Sequence, residues 1–89
     1  MKDLKIISAN RDYLEFEERV KFEYKGKTYE KVLYSSMNRD GMNALYIEDE
    51  NGNDIDLIDD YNVNDIDDLI SNNVKEDDIE VSGVFNYKN

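Results

Sequence analysis

The most regular pattern in this sequence is an alternation of residue types between Tyr13 and Tyr24. The odd-numbered positions are mostly charged, whereas the even-numbered positions are largely apolar and read Leu14, Phe16, Glu18, Val20, Phe22 and Tyr24. Successive side chains of a β-strand point to opposite faces of a sheet, so this period of two predicts a strand with one buried face. Glu18 interrupts the apolar positions, and we expect there either a bulge that turns it outward or a bend in the strand.

Lys25-Gly26 follows this strand and predicts a hairpin, because glycine readily takes the positive φ that tight turns require. Two registers are consistent with the sequence. A two-residue turn would place Phe22 opposite Tyr29, whereas a longer turn with a glycine bulge would place Val20 opposite Val32. Of the two, we favour the bulged turn.

Further strands and a single helix are predicted in the rest of the chain. The predicted strands cover residues 4–8, 13–24, 27–35, 44–48, 54–58 and about 79–87, and the predicted helix covers about 63–72. Asn10-Arg11-Asp12 is expected to form the first turn, and Asn51-Gly52 is a strong hairpin signal. The helix is indicated by the spacing of Ile66, Leu69 and Ile70, with either Asn62 or Asn64 as its N-cap.

The resulting element order, βββββαβ, predicts an α+β fold. We expect a single domain over residues 1–89, because a chain of 89 residues has room for one hydrophobic core. The sheet is expected to be antiparallel and to have five to six strands. It would be strongly twisted or closed into a partial barrel, with the one short helix covering its open side.

Negative charge is concentrated in one third of the chain, from Glu48 to Glu80. This segment holds fourteen carboxylates and a single cation, Lys75, whereas residues 1–47 are nearly balanced. The whole chain has 22 acidic and 11 basic residues, for a formal net charge of −11. Protein surfaces ordinarily interleave the two signs, so this segment predicts a surface that attracts a positively charged partner.

Composition also excludes several classes of function. The chain has no cysteine and no histidine, so it has no disulfide, no thiolate nucleophile and no imidazole for acid–base chemistry or metal binding. Its charge would repel nucleic acids and anionic membranes, so we expect direct binding to neither. We expect no enzyme activity, catalytic residue, metal or cofactor. The sequence lacks a signal peptide and an apolar membrane span, which favours a cytoplasmic location.

A hairpin and a short helix rich in carboxylates can present negative charges at a spacing comparable to that of DNA phosphates. In size and charge distribution the chain resembles the small acidic DNA-mimic inhibitors that phages use against restriction enzymes, CRISPR nucleases or DNA-repair glycosylases. The resemblance implies that the protein occludes the basic nucleic-acid-binding surface of a nuclease or another defence enzyme, in the host cytoplasm if it is encoded by a phage. The resemblance includes no sequence motif, and no residue is assigned a role from it.

The predicted partner-binding residues are ten carboxylates and two tyrosines that could anchor an interface. They are Glu48, Asp49, Glu50, Asp54, Asp56, Asp59, Asp60, Asp65, Asp67, Asp68, Tyr46 and Tyr61. Met37 and Met42 in the central loop could add adaptable apolar contacts. Changing Asp65, Asp67 and Asp68 together to asparagine is expected to weaken the complex and to leave the fold intact.

Two other non-enzymatic functions share parts of this reasoning. The chain could be an immunity protein or antitoxin that neutralises a basic nuclease toxin, which would require the same electrostatics. It could instead be a plain interaction or structural domain that assembles through an exposed sheet edge.

Two metal-dependent alternatives fit less well. An EF-hand loop centred on Gly52 would place Ile47 and Ile58 at its first and last ligand positions, where oxygen ligands are needed. Asp12 followed by Glu23-Tyr24-Lys25 matches a loose nuclease pattern, but the triplet would lie exposed at a hairpin tip.

Overall fold

In the computed structural model, the described residues are 3–14, 16–35 and 43–82. The strands within these residues are β1 (Leu4–Asp12), β2 (Glu17–Tyr24), β3 (Lys27–Ser35), β4 (Asn43–Asp49), β5 (Asp54–Ile55), β6 (Leu57–Ile58), β7 (Tyr61–Asn62) and β8 (Glu80–Ser82). Helix α1 spans Val63–Asn73, and a 3-10 turn spans Glu76–Asp78. The fold is α+β, as predicted.

Six of the described strands form one sheet in the order β5-β4-β3-β2-β1-β8. Neighbouring strands are antiparallel, except that β8 runs parallel to β1. Strands β6 and β7 form a separate two-stranded ladder that leads into α1. Helix α1 packs on one side of the large sheet, which we call the covered face, and the opposite side is called the outer face.

The hydrophobic core lies between the covered face and α1. On β2 the alternation buries Val20, Phe22 and Tyr24, as the sequence predicted. From the helix, Ile66 and Ile70 pack against them and are equally buried. Each fully buried side chain of this kind stabilises the fold by about 1.5–3 kcal/mol relative to an exposed one.

The β2–β3 hairpin has a two-residue turn, so the favoured bulged register was wrong. Phe22 lies opposite Tyr29, and their stacked rings have centroids 5.6 Å apart. Both turn residues have positive φ, 51° at Lys25 and 80° at Gly26. Two consecutive positive φ values are typical of the tight turn whose twist matches that of the strands it joins.

Strand β1 is longer than predicted and continues through the expected turn at Asn10-Arg11-Asp12. Arg11 pairs with Glu18 and Asp12 with Glu17 across the β1–β2 ladder. The chain turns only after Asp12, whose carboxylate accepts a hydrogen bond from the backbone N–H of Leu14 at 2.9 Å. Strand β2 therefore begins at Glu17, later than the alternation predicted, and the side chain of Leu14 is exposed.

The expected irregularity at Glu18 lies instead in β1, where the register shifts between Ile6 and Ser8. Glu18 keeps its place on the covered face because two cations reach it there. The Arg11 guanidinium lies 2.7 Å from one carboxylate oxygen, and the Lys31 ammonium lies 3.5 Å from the other. A charge that is paired in this way can be buried without being turned toward water.

These contacts belong to a longer chain of alternating charges, which we call the charge ladder: Asp67, Lys31, Glu18, Arg11 and Glu76. Lys31 is only 2% exposed, and its Nζ lies 2.9 Å from Asp67 Oδ1 on α1. At the other end, Arg11 makes two hydrogen bonds to Glu76, of 3.0 and 3.1 Å. The ladder thus ties α1 and the 3-10 turn to three adjacent strands of the sheet.

Helix α1 begins with a capping box. The side chain of Asn62 accepts a hydrogen bond from the backbone N–H of Asp65, and the Asp65 carboxylate accepts one from the backbone N–H of Asn62. Of the two predicted caps, Asn62 is therefore confirmed, and Asn64 lies inside the first turn. The last helical residue is Asn73, within one residue of the prediction.

The β4–β5 hairpin at Asn51-Gly52 is confirmed. Gly52 has a φ of 83°, and the Asp49 carboxylate accepts hydrogen bonds of 2.9 Å from the backbone N–H groups of Asn51 and Asn53. Strand β5 is shorter than predicted, because the chain bends at Asp56 and then forms β6.

Some predictions lie outside the described residues. These include Met37 and Met42 of the central loop, and the apolar positions Val84, Phe85 and Tyr87 of the last predicted strand. Within the described ranges, no helix is both long and apolar enough to cross a membrane.

The charge ladder makes a prediction about stability. Lys31→Met leaves Asp67 without its counter-charge and Glu18 with Arg11 alone, so we expect the free energy of unfolding to fall by about 3 kcal/mol. Lys21→Met removes the same kind of side chain from an exposed position on the outer face and should change it by no more than about 0.5 kcal/mol. Urea unfolding of both variants measures this difference, and equal losses would contradict a special role for Lys31.

Candidate protein-binding surface

The layer that covers the sheet is the most acidic part of the molecule. It runs over residues 56–78 and includes β6, β7, α1 and the 3-10 turn. We call it the acidic layer, because it holds nine carboxylates and a single cation, Lys75. Seven of the twelve predicted partner-binding residues lie in it: Asp56, Asp59, Asp60, Tyr61, Asp65, Asp67 and Asp68. The other five lie on β4 or in the β4–β5 hairpin.

Three carboxylates of the acidic layer are matched by cations of the sheet. Asp67 meets Lys31 at 2.9 Å, Glu76 meets Arg11 at 3.0 Å, and Asp59 meets the Lys25 ammonium at 3.0 Å. These three pairs join the layer to β3, to β1 and to the β2–β3 turn. These three carboxylates therefore help to hold the acidic layer against the sheet.

Hydrogen bonding lowers the pKa of two of these carboxylates. The Tyr24 hydroxyl donates to Asp59, and together with the Lys25 ammonium it lowers the pKa of Asp59 below its ordinary value. The hydrogen bonds from Arg11 lower the pKa of Glu76 in the same way. Both groups therefore stay ionised to lower pH than free carboxylates do.

The capping box also gives Asp65 a structural role, since its carboxylate accepts the backbone N–H of Asn62 at 3.1 Å. Asp67 and Asp68 are sequence neighbours with different surroundings. Asp67 is half-buried against Lys31, whereas Asp68 is exposed. The three helix aspartates therefore do not form one equivalent set, because Asp65 and Asp67 make contacts within the fold and Asp68 does not.

Five carboxylates of the acidic layer have neither an ion pair nor a hydrogen bond with any described residue, and all five are exposed. They are Asp56, Asp60, Asp68, Asp77 and Asp78. Asp60 and Asp68, together with Asp65, line a shallow depression of about 300 Å³. Tyr61 and Leu69 complete its lining, and both are half-buried. The depression thus offers apolar surface beneath a rim of negative charge.

The β4–β5 hairpin carries a second, separate group of carboxylates. Glu48 and Asp54 lie opposite each other on the two strands, and Glu50 is exposed at the turn. In the cross-strand register, Glu48 also faces Glu30, which lies opposite Lys21 on the outer face. Glu48 and Asp54 therefore lie on the outer face, whereas the acidic layer lies on the opposite side of the sheet.

The two predicted anchor tyrosines are separated in the same way. Tyr61 lines the depression on the acidic layer, whereas Tyr46 lies on the outer face opposite the fully buried Val32. The ring of Tyr46 is 6.2 Å from that of Tyr34. A hydrogen bond to the Glu17 carboxylate, with a smaller contribution from Tyr46, raises the pKa of Tyr34 to about 12.

The rest of the outer face has a more even balance of charge. Arg19 lies 3.0 Å from Glu17 and 2.9 Å from Glu30, so charges of both signs alternate across β2 and β3. This balance is the arrangement expected of an ordinary solvated surface. The contrast makes the acidic layer the stronger candidate for a charged interface.

The metal-dependent alternatives receive no support from this geometry. No cluster of three or more potential metal ligands occurs in the described part of the chain. In the β1–β2 register, Asp12 lies opposite Glu17, whereas Glu23 lies opposite Lys5 near the other end of the ladder. Six residues of extended strand separate the two sites by about 20 Å, so the loose nuclease pattern is not assembled in space.

Sequence reasoning did not identify the cations that neutralise part of the acidic segment, Arg11, Lys25 and Lys31. Each is distant in sequence from its carboxylate partner, and no local pattern marks it. Comparison of the chain with models of known families, with characterised proteins and with solved structures finds no match.

Two adjacent aspartates test the division between structural and free carboxylates. Asp67→Asn removes the charge that faces buried Lys31, so we expect the free energy of unfolding to fall by about 1–3 kcal/mol. Asp68→Asn makes the same chemical change one residue later, at an exposed site, and should alter it by at most about 0.5 kcal/mol. Chemical denaturation of both variants at one salt concentration checks the difference, and a destabilised Asp68→Asn protein would disagree with it.

The ion pair of Glu76 predicts a pH dependence. Because Arg11 lowers the pKa of Glu76 below 4.5, the pair stabilises the fold above that pH, and this contribution disappears as the pH falls through the lowered value. Glu76→Gln should therefore be less stable than the wild type at neutral pH and equal to it in strong acid. Unfolding curves measured from neutral pH to strong acid give this difference in stability. The control is Asp77→Asn, a substitution at an exposed neighbouring carboxylate. If Glu76→Gln were still less stable than the wild type in strong acid, the ion pair with Arg11 would not be the cause of the difference.

Proposed function

We propose that this protein is a non-enzymatic inhibitor that binds a basic nucleic-acid-binding surface of another protein and excludes nucleic acid from it. The acidic layer is the proposed binding surface. The observation that carries the proposal is the set of exposed carboxylates left in that layer after the sheet cations are paired. Lys75 is the only cation in the layer, so the negative field around α1 is largely uncompensated.

Electrostatics supports this kind of partner. A surface of one sign steers an oppositely charged protein toward it and raises the association rate by about 10–1,000-fold at low salt. Proteins that hold DNA or RNA place lysine and arginine at intervals that match the phosphates. A layer that offers carboxylates in place of phosphates can occupy such a surface without presenting a bond to cleave.

The depression on the acidic layer supports contact with long basic side chains. Lysine and arginine carry an apolar stem that packs on hydrophobic surface and a charged end that stays at its edge. Tyr61 and Leu69 can receive the stem, while Asp60 and Asp68 face the charged end. An aromatic ring beside the site also attracts a cation through its π face.

A nuclease or other defence enzyme is the proposed class of partner, in keeping with the resemblance to DNA-mimic inhibitors. The test is to immobilise the protein, capture partners from a bacterial lysate at low salt, and purify the protein that elutes as salt rises. Binding of that partner to its own nucleic acid is then measured with and without the inhibitor. Loss of nucleic-acid binding on addition of the protein is the expected result.

A matched pair of variants locates the surface. Asp60→Asn with Asp68→Asn should weaken partner binding about tenfold and reduce its dependence on salt, because two rim charges are lost. Asp3→Asn with Glu23→Gln makes the same change in net charge outside the acidic layer and should have little effect. Equal affinity of both double variants, or a captured partner that still binds its nucleic acid fully, would refute the proposal.

A further inference from the structure

One edge of the large sheet is incompletely covered. Strand β5 pairs only with Ile47 and Glu48 of β4. The preceding stretch of β4, Asn43–Tyr46, has β3 on one side, and no described strand lies on the other. We call this stretch the open edge.

The hydrogen bonds of the neighbouring turn show which backbone groups point outward. The N–H of Asp49 donates to the carbonyl of Asn53 at 3.0 Å, so Asp49 faces the β5 side. In an antiparallel ladder, alternate residues direct both N–H and C=O to the same side. Leu45 and Asn43 therefore direct theirs toward the open edge, where no backbone group of the described residues receives them.

At the opposite edge β8 covers only part of β1, but the rest of β1 carries features that hinder the addition of a strand. Strand β8 covers β1 at Asn10–Asp12, and the earlier part of β1 has a register shift after Ile6 and an exposed Lys5. Bulges, lysines and short covering strands are the usual means by which proteins prevent a strand from adding to an edge. The open edge has an unbroken register with β3 and contains neither lysine nor proline.

Charge and side chains at the open edge indicate what could add there. Glu48, Glu50 and Asp54 lie at its end and make no ion pair with any described cation. Leu45 and Tyr46 are half-buried on opposite faces and leave part of their apolar surface exposed. An added strand with basic side chains would complement these carboxylates, and its apolar side chains would extend these surfaces.

A second copy of this chain fits the open edge poorly. Its open stretch carries no basic side chain to meet the hairpin carboxylates, and two chains that each have a formal net charge of −11 repel each other. Strand β5 also occupies the edge beside Ile47, so a second β4 could pair over the open stretch alone before meeting it.

We propose that the open edge binds an extended, cationic segment of the partner protein as an additional β-strand. This deepens the proposed function and depends on it, because it assumes the same basic partner. Backbone hydrogen bonds to Leu45 and Asn43 would position the segment, and the hairpin carboxylates would select its charge. The acidic layer and the open edge would then be two separate contacts with one partner.

Amide hydrogen exchange of Leu45, measured by NMR on the intact wild-type chain, tests this directly. The probe is a synthetic hexapeptide of alternating valine and arginine, and its control is the same peptide N-methylated at every residue. The two carry equal charge, but the control has no backbone N–H to donate. With nine-tenths of the sites occupied by the probe, exchange at Leu45 should slow about tenfold, because only the free fraction exchanges. The methylated peptide should leave it unchanged.

Other results would overturn the proposal. These are no binding of the probe, binding without slower exchange at Leu45, equal slowing by both peptides, or an amide of Leu45 that is already protected in the free protein. Repeating the titration with Asp60→Asn and Asp68→Asn separates the two contacts. Protection of Leu45 should survive that change, whereas the salt-dependent partner binding assigned to the acidic layer should not. If Leu45 is not protected, the proposed contact at the open edge is wrong. If the double variant still binds the partner fully, the proposed contact at the acidic layer is wrong.

Discussion

The pairing of buried Lys31 with Asp67 is the interaction on which the arrangement of this protein depends. Lys31 lies on the covered face in the middle of the sheet, where a hydrophobic residue would ordinarily be expected. Its charge is acceptable there because α1 brings Asp67 to 2.9 Å and β2 brings Glu18 to 3.5 Å. A buried charge is costly unless it is paired, so the helix and the sheet specify each other's position.

This pairing divides the carboxylates of the acidic layer into two kinds. One kind, represented by Asp67, Asp59 and Glu76, neutralises cations of the sheet and attaches the layer to it. The other kind, represented by Asp60 and Asp68, is exposed and meets no described cation. Three cations of the sheet thus hold the acidic layer in place, and the charge that the layer itself leaves exposed is negative except for Lys75. That remainder is what makes the layer suited to a basic partner.

Much of the local structure could be predicted from the sequence. The alternation identified Val20, Phe22 and Tyr24 as one buried face, and the helical spacing identified Ile66 and Ile70, because both periods are properties of neighbouring residues. The register of the β2–β3 hairpin was predicted wrongly, since it depends on the φ values of two turn residues. The sequence grouped all ten predicted carboxylates on one surface, whereas Glu48 and Asp54 of the β4–β5 hairpin lie on the outer face, away from the acidic layer.

By itself, the sequence determined the types of elements, the location of the core positions and the concentration of acid in one third of the chain. These are consequences of local periodicity and composition. Only the tertiary structure decided which carboxylates are neutralised and, among the described residues, which meet no cation and which sheet edge has no neighbouring strand. The physical reason is that Arg11, Lys25 and Lys31 are far in sequence from the groups they pair with, and strand pairing and helix packing alone bring them together.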